Sequence, residues 1–353
     1  MSAVIILAAG QGTRMKSSTP KVLHSICGRT LLGHAIHAAR GTGADQVVVV
    51  VRHERDKVAK AALAADPDVI VADQDEIKGT GRAVQCGLAA IPDASGTVVV
   101  MAGDTPLLDA AILRALMATH VESALPAAEA ADPDEVDADE VPAPAPTAVT
   151  VLTATLPNPF GYGRILRDHE GIYGVVEEKD ATPTQRTITE VNTSTYAFDA
   201  DFLRAATAKL GSDNAQGEVY LTDVVAEARA AGRKVASFTV ADYHSVEGAN
   251  DLVQLAALRA TMRRRINESW MREGVEIIDP ASTYIDCTVR LSPDVRILPG
   301  TMLLGDTVVE NGAMVGPGEL TDMHVGANAE VSHAVLRGGV VAAGEIVPPF
   351  SAR

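Results

Sequence analysis

Aliphatic side chains recur every six residues through the C-terminal part of this chain, at Ile285, Leu291, Ile297, Leu303, Val309 and Val315. Two positions before each stands a small or β-branched residue: Thr283, Val289, Val295, Thr301, Thr307 and Ala313. Helices repeat near 3.6 residues and strands near two, so a period of six is neither. It fits a parallel β-helix with three short faces per coil, the inward aliphatics stacking from coil to coil. Gly300, Gly305, Gly312, Gly316 and Gly318 punctuate the turns, and the register slips after Val315 before resuming at Val325 and Val331. Chance spacing in an aliphatic-rich chain would leave the column of small partners unexplained.

Ahead of the hexads the pattern is different. Short β-branched runs at 4–7, 46–51, 69–72 and 97–101 alternate with Ala- and Leu-rich segments at 31–40, 55–64 and 81–90. Such alternation predicts βαβ units, hence an α/β, Rossmann-like domain with a mixed, mostly parallel sheet. Strands near 149–154, 172–177 and 235–240 and a helix near 201–208 continue this domain to about residue 250. One long helix then links it, over 251–272, to the partial β-helix at 273–353. Residues 127–148 break the pattern with seven acidic residues, no basic ones and alternating Pro and Ala. This stretch has too little apolar area to offset its ordering entropy and reads as a flexible surface insertion, an acidic recruitment segment being the alternative.

A net charge of -16 argues against nucleic acid or anionic membrane as partner, since both select basic surface. A few local cations can still hold a small anion. Cys27, Cys86 and Cys287 are widely spaced and suggest neither a disulfide framework nor a thiolate zinc site. No apolar run is long enough to span a bilayer, and the first strand leads directly into glycines, not into a cleavage site. A cytoplasmic location is expected.

Ligands of such sheets bind beyond the C-terminal strand ends. The first strand ends in Leu7, Ala8, Ala9, Gly10 and Gly12, a turn whose backbone N–H groups suit a nucleotide phosphate. The dinucleotide fingerprint is absent, because Met15 stands where its third glycine belongs, and no G-K-[ST] follows for a Walker loop. Arg14 and Lys21 then supply charge for a triphosphate, or else are solvated surface residues. Gly103 and Asp104 end a second strand, where the carboxylate suits Mg²⁺ or caps the following helix. Asn250 can add an amide oxygen to that cation. Gln74, Gly79, Thr80, Gly163, Glu177, Asn192 and Thr193 fall at other turns or strand ends and suit the walls of a base and sugar pocket.

LAAGQGTRMKSSTPKVLH resembles the signature of sugar-1-phosphate nucleotidyltransferases. GTGRA, GDTPLL, YGRI, VVEEKDAT, ITEVNTSTYAF, NAQGEVYLTDVV and VEGAN follow in the order found in the bacterial N-acetylglucosamine-1-phosphate uridylyltransferase family. DPASTYID and the hexads resemble the start of that family's left-handed β-helix. The resemblance implies transfer of uridylyl from UTP to N-acetylglucosamine 1-phosphate, giving UDP-N-acetylglucosamine and diphosphate with no covalent enzyme intermediate. It gives Arg14 and Lys21 to the phosphates and Gln74, Gly79 and Thr80 to the uracil. Asp104 and Asn250 become Mg²⁺ ligands, while Gly163, Glu177 and Asn192 line the sugar side. Arg82 stands where the family usually has His, beside the base pocket.

The family is usually bifunctional and trimeric, with an acetyltransferase on the full β-helix. The segments carrying that second chemistry are not in these 353 residues, so this chain is expected not to acetylate, and any homotrimer is expected to be weakened. A glucose-1-phosphate nucleotidyltransferase and a catalytically silent nucleotide-sugar scaffold remain the rival readings.

Overall fold

Side chains of the central strands are buried on both faces, which is why their sequences are unbroken aliphatic runs. A computed structural model describes residues 1–124 and 147–352, so the expected acidic insertion lies almost wholly outside the described residues. In the first 250 residues the strands are β1 (Ala3–Leu7), β2 (Ser25–Ile26), β3 (Arg29–Thr30), β4 (Gln46–Val51), β5 (Ile70–Asp73), β6 (Thr97–Ala102) and β7 (Thr147–Thr155). They continue with β8 (Gly163–Asp168), β9 (Gly171–Val176), β10 (Glu190–Asp199) and β11 (Lys234–Thr239). The helices are α1 (Leu31–Arg40), α2 (Arg55–Ala65), α3 (Thr80–Ala89), α4 (Ala110–Ala124), α5 (Ala200–Thr207), α6 (Asp223–Ala230) and α7 (Leu252–Arg272). Expected and observed bounds coincide for α1 and β4 and differ by one or two residues for most others, where helix and strand ends fray.

The main sheet runs β11-β7-β10-β6-β1-β4-β5, with the β8–β9 hairpin paired off β10. β1 lies parallel to β4 and β6, and β10 is antiparallel to both β6 and β7, so the sheet is mixed and mostly parallel. Val4, Ile6, Val49 and Met101 face one core with α1, α2 and α4, while Ile5, Val48, Val50 and Val100 face the other with α3, α5 and α6. Period-two alternation thus distributes one strand between two cores. The parallel strands β1, β4, β5 and β6 end on the same side, where Gly10, Gln74 and Gly103 follow them.

His120 on α4 is 5% exposed, and its Nδ1 lies 3.0 Å from Thr150 Oγ1 on β7. Burial pushes its pKa from 6.5 down to about 4. A neutral buried imidazole means that the unfolded chain binds more protons between those values, so its contribution is full above pH 6.5 and is lost as the pH falls toward 4. Urea unfolding at pH 7 and pH 5 should show about 2 kcal/mol less stability at the lower pH from this group. His120→Gln should reduce that difference; an unchanged pH slope would exclude His120 as its source.

The chain divides into two units, and the division is not sequential. Unit one comprises Met1–Leu23 and Leu31–Gly248, and unit two comprises His24–Thr30 and Ala249–Arg353. The β2–β3 hairpin therefore belongs with the C-terminal part, a membership that a cut at residue 250 misses. Ser25 O accepts from Arg259 Nε and Nη2 at 3.0 and 2.9 Å, and Cys27 O accepts from Cys287 N at 3.0 Å. Gly28 packs so closely on Asp286 that a Cβ there would lie 2.8 Å from its Cγ.

In unit two the hexads form coils of short parallel strands. Ile285 pairs with Leu303, Leu291 with Val309 and Ile297 with Val315, each eighteen residues on, or three hexads per coil. The next step is shorter: Leu303 pairs with Leu320 and Val309 with Val325, separations of seventeen and sixteen residues. That shortening is the slip seen in the sequence. All six aliphatics and their six small partners are buried. The buried threonines are satisfied within their own turns, as Thr301 Oγ1 donates to Leu298 O at 2.6 Å and Thr307 Oγ1 to Leu304 O at 2.7 Å. Among the described residues no helix is long and apolar enough to cross a membrane.

Candidate functional site

At the end of β1 the chain turns over its own later residues. Gly12 has φ +62°, and a Cβ there would lie 2.6 Å from Lys21 Cβ, so glycine lets the turn close onto the lysine stem. Arg14 follows, exposed, in a short 3₁₀ turn. Gly103 N donates to Leu7 O at 3.0 Å, which fastens the end of β6 to the end of β1. Asp104 comes next, and its carboxylate forms an ion pair with Lys21; both side chains keep less than a fifth of their surface. Gly248 also reaches this carboxylate, since a Cβ on it would stand 3.2 Å from Asp104 Oδ2.

A cleft of about 700 Å³ opens at the ends of β1, β4, β5 and β6, lined by Leu7, Ala9, Gly10, Gln74, Gly79 and Thr80 but not by Gly12, Arg14, Lys21, Gly103 or Asp104. Gln74 is 9% exposed, and its Nε2 donates to Ile77 O at 2.9 Å and Gly79 O at 3.1 Å. Two carbonyls therefore fix the amide orientation and commit both N–H bonds, leaving Oε1 as the group free to accept. Arg82 Nε donates to both Asp75 carboxylate oxygens at 3.0 and 3.1 Å, and its Nη1 donates to Gln85 Oε1 at 2.8 Å. The substituted position thus holds the loop next to Gln74, and the guanidinium keeps the Asp75 carboxyl below its usual range.

The GTG turn is stitched to residues 218–221. Val219 N donates to Lys78 O and Gly81 N to Val219 O, both at 2.9 Å, while Thr80 Oγ1 accepts from Leu221 N at 3.0 Å. Gly79 has φ +119°, and a Cβ there would fall 2.1 Å from Val219 O. This seam separates the cleft from a second chamber of about 170 Å³, lined by Glu177, Tyr196, Gln216, Tyr220 and Thr222 among others.

Around the smaller chamber three expected residues meet. A Cβ on Gly163 would be 3.5 Å from Glu177 Oε1 and 3.6 Å from Asn192 Cβ. Asn192 is 3% exposed and shares a hydrogen bond with the buried Tyr196 hydroxyl. Burial raises the pKa of Glu177, the Thr222 hydroxyl partly opposes the shift from 3.4 Å, and the charges of Asp180 and Asp223 add to it. Beside this group Arg164, 1% exposed, pairs with Glu178 at 2.8 Å, whose Oε2 also accepts from Gly161 N at 3.1 Å. That bridge fixes the turn before Gly163.

The structure therefore gathers Leu7, Ala9, Gly10, Gln74, Gly79 and Thr80 at one cleft, and Gly163, Glu177 and Asn192 at its side. Ala8 is 2% exposed, its N–H donating to Val50 O at 2.9 Å, so it braces the turn without lining the cleft. Thr193 is also buried and donates to Leu152 O at 2.8 Å. Asn250 belongs to unit two, where its N–H donates to Gln254 Oε1 at 2.8 Å at the start of α7. No group of three or more His, Cys, Asp or Glu residues placed to hold a metal occurs among the described residues. Sequence reasoning missed Arg52, His53, Glu54, Lys78, Glu218, Tyr220 and Thr222 as lining residues. The end of β4 carries three of these, and the rule that ligands sit at strand ends could have found them.

A family described as MobA-like NTP transferase domain matches residues 4–172. The bifunctional protein GlmU of Kineococcus radiotolerans is 49% identical over 352 residues, covering 99% of this chain and 67% of that protein. The protein of that name from Paenarthrobacter aurescens is 50% identical over 355 residues, with the same coverage. The chain belongs to the GlmU family. It spans about two thirds of the length of these GlmU relatives, and the aligned part takes in both units. As a GlmU-type nucleotidyltransferase it is an enzyme, and its reaction is the UTP-dependent formation of UDP-N-acetylglucosamine that its motifs imply.

Proposed function

We propose that unit one makes UDP-N-acetylglucosamine by direct in-line transfer. A phosphate oxygen of N-acetylglucosamine 1-phosphate bonds to the α-phosphorus of UTP, the bond from that phosphorus to the β-phosphate oxygen breaks, and diphosphate leaves. The meeting of Lys21 and Asp104 where β1 and β6 end carries this reading, because it sets a cation for phosphate oxygens beside a carboxylate for a metal. Arg14 and Lys21 bind the phosphates and stabilise charge on the phosphorus being attacked. Asp104 is the Mg²⁺ ligand proposed in this unit: a single carboxylate suits a cation that keeps water and phosphate oxygens rather than a protein cage. Bound there, the metal would offset charge at the phosphates and orient them.

Gln74 Oε1 is the proposed acceptor for uracil N3–H. Cytosine has no hydrogen at N3, so CTP would confront one acceptor with another. Pyrophosphate release should favour UTP over CTP by at least about a hundred-fold in kcat/KM; near-equal rates would remove Gln74 from base selection. Glu177, as a carboxylate accepting from sugar hydroxyl or amide N–H groups, must be ionised. Because its pKa is raised, the KM for the sugar phosphate should climb as the pH falls, starting above the usual glutamate range. Glu177→Gln should abolish that acid limb. Glucose 1-phosphate serving as well as N-acetylglucosamine 1-phosphate would defeat the narrow assignment.

The coils of unit two are the proposed contact for a homotrimer, which light scattering would reveal. Soluble anionic substrates and the acidic chain suit the cytoplasm, with no call for nucleic acid or membrane.

A further inference from the structure

β10 is irregular where it passes the cleft. Between Asn192 and Tyr196 it advances four residues while β7 goes only from Thr153 to Val151, so two residues are extra. On its other side β10 pairs with β6 as far as Tyr196 opposite Val100, then with β8 from Asn192 opposite Gly163. Ser194 lies in that gap, exposed, with buried residues on both sides of it in the strand. Its φ is +59°, which costs any residue with a Cβ and which glycine adopts freely. Its N–H donates to Asn192 Oδ1 at 3.2 Å, while its hydroxyl makes no hydrogen bond with a described residue. Ser194 lines both chambers, a property shared with Leu7, Thr80 and Glu218.

We infer that Ser194 is a specificity-determining residue whose hydroxyl hydrogen-bonds the pyranose of the sugar 1-phosphate at the neck between the two chambers. The inference rests on the function proposed above. The strain has a use in this position: the bulge turns one short polar side chain out of an otherwise buried strand and aims it at the cleft. Asn192 links it to the sugar side, since the residue whose Oδ1 accepts from Ser194 N also sets its Cβ against Gly163 and shares a hydrogen bond with Tyr196. A hydroxyl can donate to a ring or acetamido oxygen or accept from a sugar O–H, which suits a neutral polyol.

Two variants separate the hydroxyl from the backbone. Ser194→Ala removes the hydroxyl and keeps the φ penalty, whereas Ser194→Gly removes both. The KM for N-acetylglucosamine 1-phosphate should rise about tenfold in each, the loss expected for one neutral hydrogen bond, while kcat and the KM for UTP change less than about twofold. Ser194→Gly should also melt at higher temperature than Ser194→Ala. An unchanged sugar-phosphate KM in Ser194→Ala, a rise confined to Ser194→Gly, or a rise in the KM for UTP instead would each overturn the assignment. Wild-type turnover of UTP and N-acetylglucosamine 1-phosphate is measured first: its absence would sink the proposed function, and its presence with an unaltered Ser194→Ala would sink only the role of Ser194.

Discussion

Asp104→Ala is expected to lower kcat for UDP-N-acetylglucosamine formation about a thousand-fold at saturating Mg²⁺, with little change in melting temperature. The carboxylate is mostly covered, it neutralises Lys21, and it stands where the ends of β1 and β6 are joined through Gly103 and Leu7. Removing it takes from Lys21 the carboxylate it pairs with and takes one oxygen from the proposed metal site, effects that together amount to several kcal/mol of transition-state stabilisation. Asp104→Asn keeps an oxygen ligand without the charge. Its activity should recover in part as Mg²⁺ is raised, whereas Asp104→Ala should not. Full activity in Asp104→Ala would refute the metal-ligand role outright.

The second large effect belongs to Gly79→Ala. Here the new Cβ would meet the carbonyl oxygen and nitrogen of Val219 at 2.1 and 2.4 Å, and φ is +119°. Those two backbone atoms are the ones that bond Gly81 and Lys78, so neither side of the seam can withdraw without losing hydrogen bonds. A destabilisation of about 3 kcal/mol or more follows, or roughly 6–12 °C in melting temperature for a unit of this size. Activity should fall with it, because Thr80 and Gln74 take their positions from the same seam. Gly96→Ala makes the control: its φ is +71° but nothing lies within 4 Å of a new Cβ, so its cost should be the backbone strain alone. Equal melting temperatures for the two variants would show that the seam gives way.

Local chemistry was well expressed in the sequence, and long-range closure was not. The eighteen-residue coil is three hexads written out, and α1 and β4 follow from uninterrupted propensity and apolar runs. The strand-end rule pointed to Gly10, Gln74 and Asp104, which come within three residues of the ends of β1, β5 and β6. The wall between the chambers escaped, since Thr80 and Leu221 meet across 141 positions and neither sequence alone advertises the other. Ser194 was equally silent: a positive φ in a strand depends on which partner β10 leaves and which it joins. Membership of His24–Thr30 in the second unit is also invisible locally, as it rests on Arg259 and Cys287, far along the chain.

That hairpin gives the chain a topology with practical weight. The polypeptide leaves unit one after Leu23, contributes seven residues to unit two, and returns at Leu31. A protease or a shortened gene that cuts after Gly248 would therefore release unit one with a fragment of unit two attached, stranding Ser25, Cys27 and Gly28 without Arg259, Cys287 and Asp286. The orphaned segment starts three residues after Lys21, so severing the two halves is expected to loosen the sequence flanking the lysine proposed to bind phosphate. Synthesis has an order to respect as well: the hairpin emerges from the ribosome early and waits more than two hundred residues for its partners, a loop closure whose entropy is met only when the coils arrive.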